Sequence, residues 1–301
     1  MKNDDFVAIQ DFKKKILRWR IITFFCLMSV IFVSAESLFS KRKTNLKKGY
    51  VARVSVEDMI RADSFSDKRL KELEKKEVIG VILDIDSPGG EVLASEKLYL
   101  FFRNLAKNKP VVSVINGYGT SGAYMVAMAS DYIVAGNTSL VGSIGVILQT
   151  EEVTELADKV GVKFMNFKSS PLKAAPNMFE KITPDVEMVT NQLIEDIYDY
   201  FLSIFIERRK IKAIEAQEIA NGQVYTGRQA LEFGLIDKIG GEGEAVEYLK
   251  DNDIDMNKVE IVNFDISDDE GGFLSSIRKK LFGSIANRLF RNKTNIMAIY
   301  R

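Results

Sequence analysis

Val111-Val112-Ser113-Val114-Ile115-Asn116-Gly117-Tyr118-Gly119-Thr120-Ser121-Gly122-Ala123 is the stretch whose reading decides the fold. Pro110 opens it, and the apolar run Val111 to Ile115 reads as a strand buried on both faces. The run feeds a glycine-bracketed turn, Gly119 to Ala123, and an apolar helix over about 121–130. A strand that passes through a tight turn into a helix is one βα unit of an α/β protein.

The same unit appears one step earlier. Val78 to Ile85 is a second short apolar run, and Asp86-Ser87-Pro88-Gly89-Gly90 is the turn that closes it. A helix is expected over about 91–106, with Val92, Leu93, Leu98, Leu100, Phe101 and Leu105 able to turn inward. Strands are expected at 50–56 and 132–135, and a charged helix at 66–77. Further on come a helix near 150–160, a strand near 162–167 and an irregular loop over 168–184. A long helix follows at 184–209, then shorter ones at 213–220 and 227–233, the last stopped by Gly234. Strands alternating with helices predict a largely parallel sheet.

Composition removes several function classes. The 301 residues carry equal acidic and basic counts, which argues against a nucleic-acid partner. There is no histidine and a single cysteine, Cys26, so the usual zinc sites cannot be built.

The N-terminus predicts a membrane tether. Lys13, Lys14, Lys15, Arg18 and Arg20 precede an apolar run from Ile21, and Lys41, Arg42 and Lys43 follow it. The expected organisation is a basic cytoplasmic N-terminus (1–20), a transmembrane signal anchor (21–39), a linker (40–49) and an α/β domain (50–264). An acidic linker and a basic amphipathic tail (265–301) complete it, with Leu274, Ile277, Leu281, Ile285 and Leu289 on one helical face. A cleaved signal segment ending near Ala35 is the alternative for the anchor.

Ser121 is the candidate nucleophile. A serine hydroxyl needs a base at neutral pH, and without histidine a Ser-His-Asp arrangement is impossible. The remaining common base is a lysine in its neutral form. A free lysine titrates near 10.4, and a lysine base must be brought down to about 7–8, which burial can do. Alone, Gly-Thr-Ser-Gly is more often a helix cap than a nucleophile. Two consecutive turns change that reading, because they can place the Gly90 and Gly122 N–H groups on one sheet edge, next to Ser121. Donors of this kind stabilise the oxyanion that forms when a carbonyl is attacked.

Several ordered strings resemble the signal peptide peptidase A family of serine–lysine peptidases, within the ClpP/crotonase fold. They are Asp86–Gly90, Thr120-Ser121-Gly122-Ala123-Tyr124, Gly142-Ser143-Ile144-Gly145-Val146 and Lys168-Ser169-Ser170-Pro171-Leu172-Lys173. Gly222-Gln223-Val224-Tyr225-Thr226-Gly227-Arg228-Gln229-Ala230 and Gly234-Leu235-Ile236-Asp237 complete the set. The length matches the family's short, single-domain form. The resemblance implies a ClpP/crotonase-like domain of stacked ββα repeats. It implies Ser121 as nucleophile, Lys173 as general base, Gly90 and Gly122 as the oxyanion donors, and Ser143 as the residue that orients the lysine. Lys168 is the alternative base. Ala123 stands where the family's second glycine is usual, and Ser170 where a glycine is usual before the base.

The expected activity is that of a serine endopeptidase cutting remnant signal peptides or other apolar unfolded peptides, with no cofactor or metal. The expected setting is a homo-oligomer, ring- or dome-like, on a bacterial inner membrane, with its catalytic domain on the outer side. The alternatives are a crotonase-type acyl-CoA hydratase or thioesterase, and a membrane scaffold that has lost the reaction.

Overall fold

The computed structural model describes residues 19–24, 49–267 and 297–299. The chain divides into two units, Met1–Lys47 and Lys48–Arg301. In the first, residues 19–24 are helical. No helix among the described residues is long and apolar enough to cross a membrane. The expected anchor at 21–39 lies outside the described residues apart from 21–24.

The second unit is built on an eight-stranded mixed sheet and a separate two-stranded one. Strands β1 (Tyr50–Glu57), β2 (Val78–Ser87), β3 (Gly89–Glu91), β4 (Val111–Thr120), β5 (Tyr132–Ala135) and β6 (Leu140–Gly142) come first. Strands β7 (Val224–Thr226), β8 (Lys238–Ile239), β9 (Glu260–Phe264) and β10 (Met297–Ile299) follow. β3 and β10 pair in the two-stranded sheet. The main order of the larger one is β7-β6-β4-β2-β1-β9, with β5 and β8 continuing from β4. The ladders of this sheet are parallel except β6 with β7. β4 takes two neighbours in succession along one edge: Val112–Ile115 pair with β5, and Tyr118–Thr120 pair with β6. That change of neighbour brings the serine turn beside β6.

Alternation along the strands fills two separate cores, as expected of a sheet covered on both faces. Ala52, Val54, Val81, Leu83, Ile85, Val111 and Ile115 enter the larger core, with α2 (Val92–Leu105), α3 (Gly122–Ala127) and Phe201 and Phe205 of α5 (Pro184–Arg209). Val51, Ile82, Val112, Val114 and Val134 enter the smaller one, against Ala245 and Leu249 of α8 (Glu242–Asp251). The remaining helices are α1 (Asp67–Glu72), α4 (Thr154–Lys159), α6 (Ala213–Ile219) and α7 (Gly227–Glu232).

Several expectations need correction. The strand at 162–167 does not form; those residues are irregular and exposed, with no strand pairing to them. Gly89–Glu91 is a short strand rather than a turn, so α2 starts at Val92 and Gly90 does not open the helix. Leu93 and Leu100 of α2 are exposed rather than turned inward. The charged helix is only Asp67–Glu72. The domain does not stop at 264: Ile266 is buried, and its carbonyl accepts from Ser66 N–H at 2.7 Å.

Two strings read above as family marks turn out to hold the scaffold. Thr226 caps α7, with Gln229 completing a capping box. Asp237 accepts from Arg209 through both carboxylate oxygens, at 3.1 and 2.8 Å. Its Oδ2 also takes the Ile133 N–H at 2.8 Å. Arg209 closes the clasp on the Gly234 carbonyl at 2.7 Å. One carboxylate thus ties the end of α5 to β5. Its side chain is 28 % exposed and that of Arg209 is 11 % exposed, so the pair is only partly screened. Asp237→Ala is expected to cost about 2 kcal/mol, below the range for a fully buried pair. The check is a lower urea midpoint with unchanged m value.

Candidate active site

Ser121 sits where β4 becomes α3, at φ 54° and ψ −125°. A non-glycine residue in this conformation costs about 1–3 kcal/mol and persists only when its surroundings hold it. Here the Ser121 N–H donates to the Gly142 carbonyl of β6 at 2.7 Å, and the Ser121 carbonyl accepts from Met125 N–H at 3.0 Å. The side chain does not cap the helix, and its hydroxyl has no hydrogen-bond partner among the described residues. Ser121 is only 1 % exposed. A strained strand-to-helix turn presenting an uncommitted hydroxyl is the geometry of a nucleophile elbow.

Gly90 and Gly122 approach each other beside the serine turn. A Cβ added to Gly122 would lie 3.3 Å from the Gly90 nitrogen and would overlap Ser95 Oγ of α2. A Cβ on Gly90 would overlap the backbone of Ile60. Both positions require a bare Cα for close approach. Ile60 pairs with one edge of β3: its N–H donates to Gly89 O at 2.8 Å, and its carbonyl accepts from Glu91 N–H at 2.8 Å. By strand alternation the N–H and C=O of Gly90 face the opposite edge. Along that edge runs β10, antiparallel, with Ala298 opposite Gly90. Nothing in the sequence reading anticipated this pairing, because three residues give no periodicity.

Ser143 lies beside the turn. It is 8 % exposed, has φ 51°, and its N–H donates to Gln223 O at 2.8 Å. Gly142, its neighbour in the chain, is the residue that holds Ser121.

Lys173 is not brought to this group by its own chain. It is exposed, in an irregular segment, and its amine has no hydrogen bond to Ser121 or Ser143 among the described residues. The apolar shelter expected around it is absent here, because Leu172 and Phe179 are themselves exposed. Its backbone is held: Lys173 N–H donates to Ser170 O at 3.1 Å. Lys168, the alternative base, has its amine committed to the Glu180 carboxylate and, at 3.1 Å, to Pro171 O. Glu180 was missed from the sequence because its partners lie up to fourteen residues away.

Comparison with known proteins decides the family. Residues 103–255 match peptidase family S49. The chain belongs to that family. S49 is a family of serine peptidases, and its signal peptide peptidase A branch is the one whose strings were quoted above. "Putative protease slr0021" of Synechocystis is 33 % identical over 222 residues, which cover 73 % of this chain and 80 % of that protein. "Serine protease SPPA, chloroplastic" of Arabidopsis thaliana is 31 % identical over 65 % of this chain but only 29 % of its own length. Among solved structures, a point mutant of the 1510-N membrane-bound stomatin-specific protease aligns with a TM-score of 0.44 and 14 % identity. That alignment covers 73 % of this chain and 95 % of the other.

The packing of Gly122 is testable within this S49 chain. Gly122→Ala should lower both stability and peptidase activity through its collision with Ser95. The double variant Gly122→Ala/Ser95→Gly should recover part of each. Thermal melts and turnover of a fluorogenic peptide, measured on all three proteins, check this.

Proposed function

We propose that this chain is a membrane-tethered serine endopeptidase in which Ser121 is the nucleophile and Lys173 the general base. The observation that carries the proposal is the buried, strained Ser121 next to Gly122, whose close packing against Gly90 supports an oxyanion site there. Neutral Lys173 takes the Ser121 proton as Oγ attacks a peptide carbonyl. The N–H groups of Gly90 and Gly122 meet the developing oxyanion. The lysine ammonium returns the proton to the leaving amine, and an acyl-enzyme remains on Ser121. Water then attacks with the lysine again as base, releasing the acid and free serine. Ser143 orients the lysine amine.

Peptide rather than acyl-CoA is favoured as substrate by β3. Its outer edge accepts an extended strand, which is how β-strand addition captures peptides. In this structure the chain's own Met297–Ile299 occupies that edge. Remnant signal peptides fit the proposal as extended apolar segments, and the basic-apolar N-terminus fits a tether holding the enzyme at the outer face of a bacterial inner membrane.

The base is proposed to come from a neighbouring copy in a homo-oligomer. Lys173 is exposed, and the segment carrying it displays Met165 at 78 % and Phe167 at 96 % exposure. Exposed apolar side chains of this kind suit an interface between protein chains. An interface there would supply the shelter that a lysine base needs.

Ser121→Ala and Lys173→Met should each abolish peptide cleavage while leaving the fold intact. Mixed in equal amounts and reassembled, the two inactive proteins should regain activity at roughly a quarter of their sites, since each site then draws serine and lysine from different copies. A mixture that stays dead while wild type reassembles to full activity sinks the shared site. Hydration of an enoyl-CoA or hydrolysis of an acyl-CoA thioester, with no cleavage of a peptide, would favour the crotonase alternative. Failure of a fluorophosphonate to label Ser121 would favour the scaffold.

Ending the chain at Asn295 removes β10. That truncation should lower KM for a peptide several-fold with kcat little changed, as removal of a competing strand requires. Steady-state kinetics on the fluorogenic peptide read the difference.

A further inference from the structure

Resting on Lys173 as the base, one further role can be assigned. The segment that bears Lys173 has no helix or strand to fix it, yet its backbone carbonyls are pinned on both sides of the lysine. Lys168 Nζ donates to Pro171 O at 3.1 Å, two residues before Lys173. Asn177 Nδ2 donates to Ala174 O at 2.9 Å, one residue after it. Both donors converge on the same carboxylate oxygen. Lys168 pairs with Glu180 Oε2, and Asn177 Nδ2 reaches it at 3.0 Å. The other oxygen, Oε1, takes Asn166 Nδ2 at 2.8 Å. Asn177 also uses its carbonyl oxygen, which accepts from Phe179 N–H at 3.0 Å. Glu180 therefore ties the start of the segment to its end, with Lys173 between them.

We infer that Glu180 is a positioning residue for the base, holding the two side chains that pin the carbonyls flanking Lys173. It touches no reacting atom. A lysine that must meet a buried hydroxyl needs its backbone placed within a fraction of an ångström, and misplacement by about 1 Å can cost on the order of a hundredfold in rate. The carboxylate suits the task electrostatically. The hydrogen bond from Lys168, and after it that from Asn166, holds the Glu180 carboxyl below the usual carboxylate range. A depressed carboxyl keeps its contribution above the ordinary carboxylate value and loses it only as pH falls through the lowered one. The brace thus stays charged through the neutral range.

The test uses the full chain and a fluorogenic peptide that wild type cleaves. Active sites are counted by fluorophosphonate labelling of Ser121. Glu180→Gln removes the charge with little change of shape. Turnover per labelled serine should fall roughly tenfold or more, with KM within about twofold, because positioning of the base acts on the chemical step. Lys168→Met should show the same pattern. The double variant should be no worse than Glu180→Gln alone, as two parts of one brace require. Wild-type turnover per labelled site in Glu180→Gln overturns the inference, and so does a double variant whose losses multiply. A loss confined to the number of labelled sites marks a folding role only and also overturns it. If Glu180→Gln does not fold, Asn177→Ala removes just the Ala174 pin and is read in the same way. Lys173→Met separates this idea from the one beneath it. If that variant is dead while Glu180→Gln is normal, only the positioning role falls. If it turns over normally, Lys173 is not the base and both fall.

Discussion

The architecture of the site depends on two missing side chains. At Gly90 the backbone of β3 lies so close to Ile60 that any Cβ would overlap it. At Gly122 the first turn of α3 lies so close to α2 that a Cβ would overlap Ser95 and approach the Gly90 nitrogen. These two approaches fix where β3, α2 and α3 meet. They also bring the Gly90 nitrogen close to the turn that carries Ser121. A single methyl group at either place would push apart the elements that carry the chemistry.

Strain at Ser121 is the counterpart of that closeness. Its backbone is held by β6 through Gly142, and β6 reaches it only because β4 exchanges one neighbour for another along the same edge. The strained conformation is therefore supported by long-range pairing rather than by local preference. The same division of labour runs through the family's strings. Gly222 to Ala230 and Gly234 to Asp237 look functional in the sequence because they are so distinctive. In space they are a pairing strand, a capping box and a clasp on Arg209. They keep the sheet in register around the turn.

Legibility in the sequence tracked the range of the forces involved. β2, β4, β5 and α5 were readable because burial imprints a pattern on consecutive residues. The serine turn was readable as glycine punctuation, whereas Gly89 and Gly90, read as a turn, stand in the short strand β3. The three-residue strands β3, β6 and β7 were not readable, since nothing in three residues distinguishes a strand from a turn. A strand was expected at 162–167, but those residues pair with no strand. Their side chains are exposed instead, which is why the region reads as a surface for another chain. Glu180 carried no signal, because a hub is defined by what converges on it.

By itself, the sequence determined that an α/β sheet forms, that Ser121 lies at a βα turn, and that no imidazole can serve it. Hydrophobic periodicity, glycine placement and residue type are local properties, and each can be read without coordinates. Only the tertiary structure decided that β3 pairs along one edge with β10, that Glu180 gathers Asn166, Lys168 and Asn177 around the Lys173 segment, and that Lys173 lies exposed in its own chain. Those facts come from groups far apart in the chain meeting, or failing to meet, in space. Burial and hydrogen-bond partnership belong to the folded assembly of elements rather than to any residue in it.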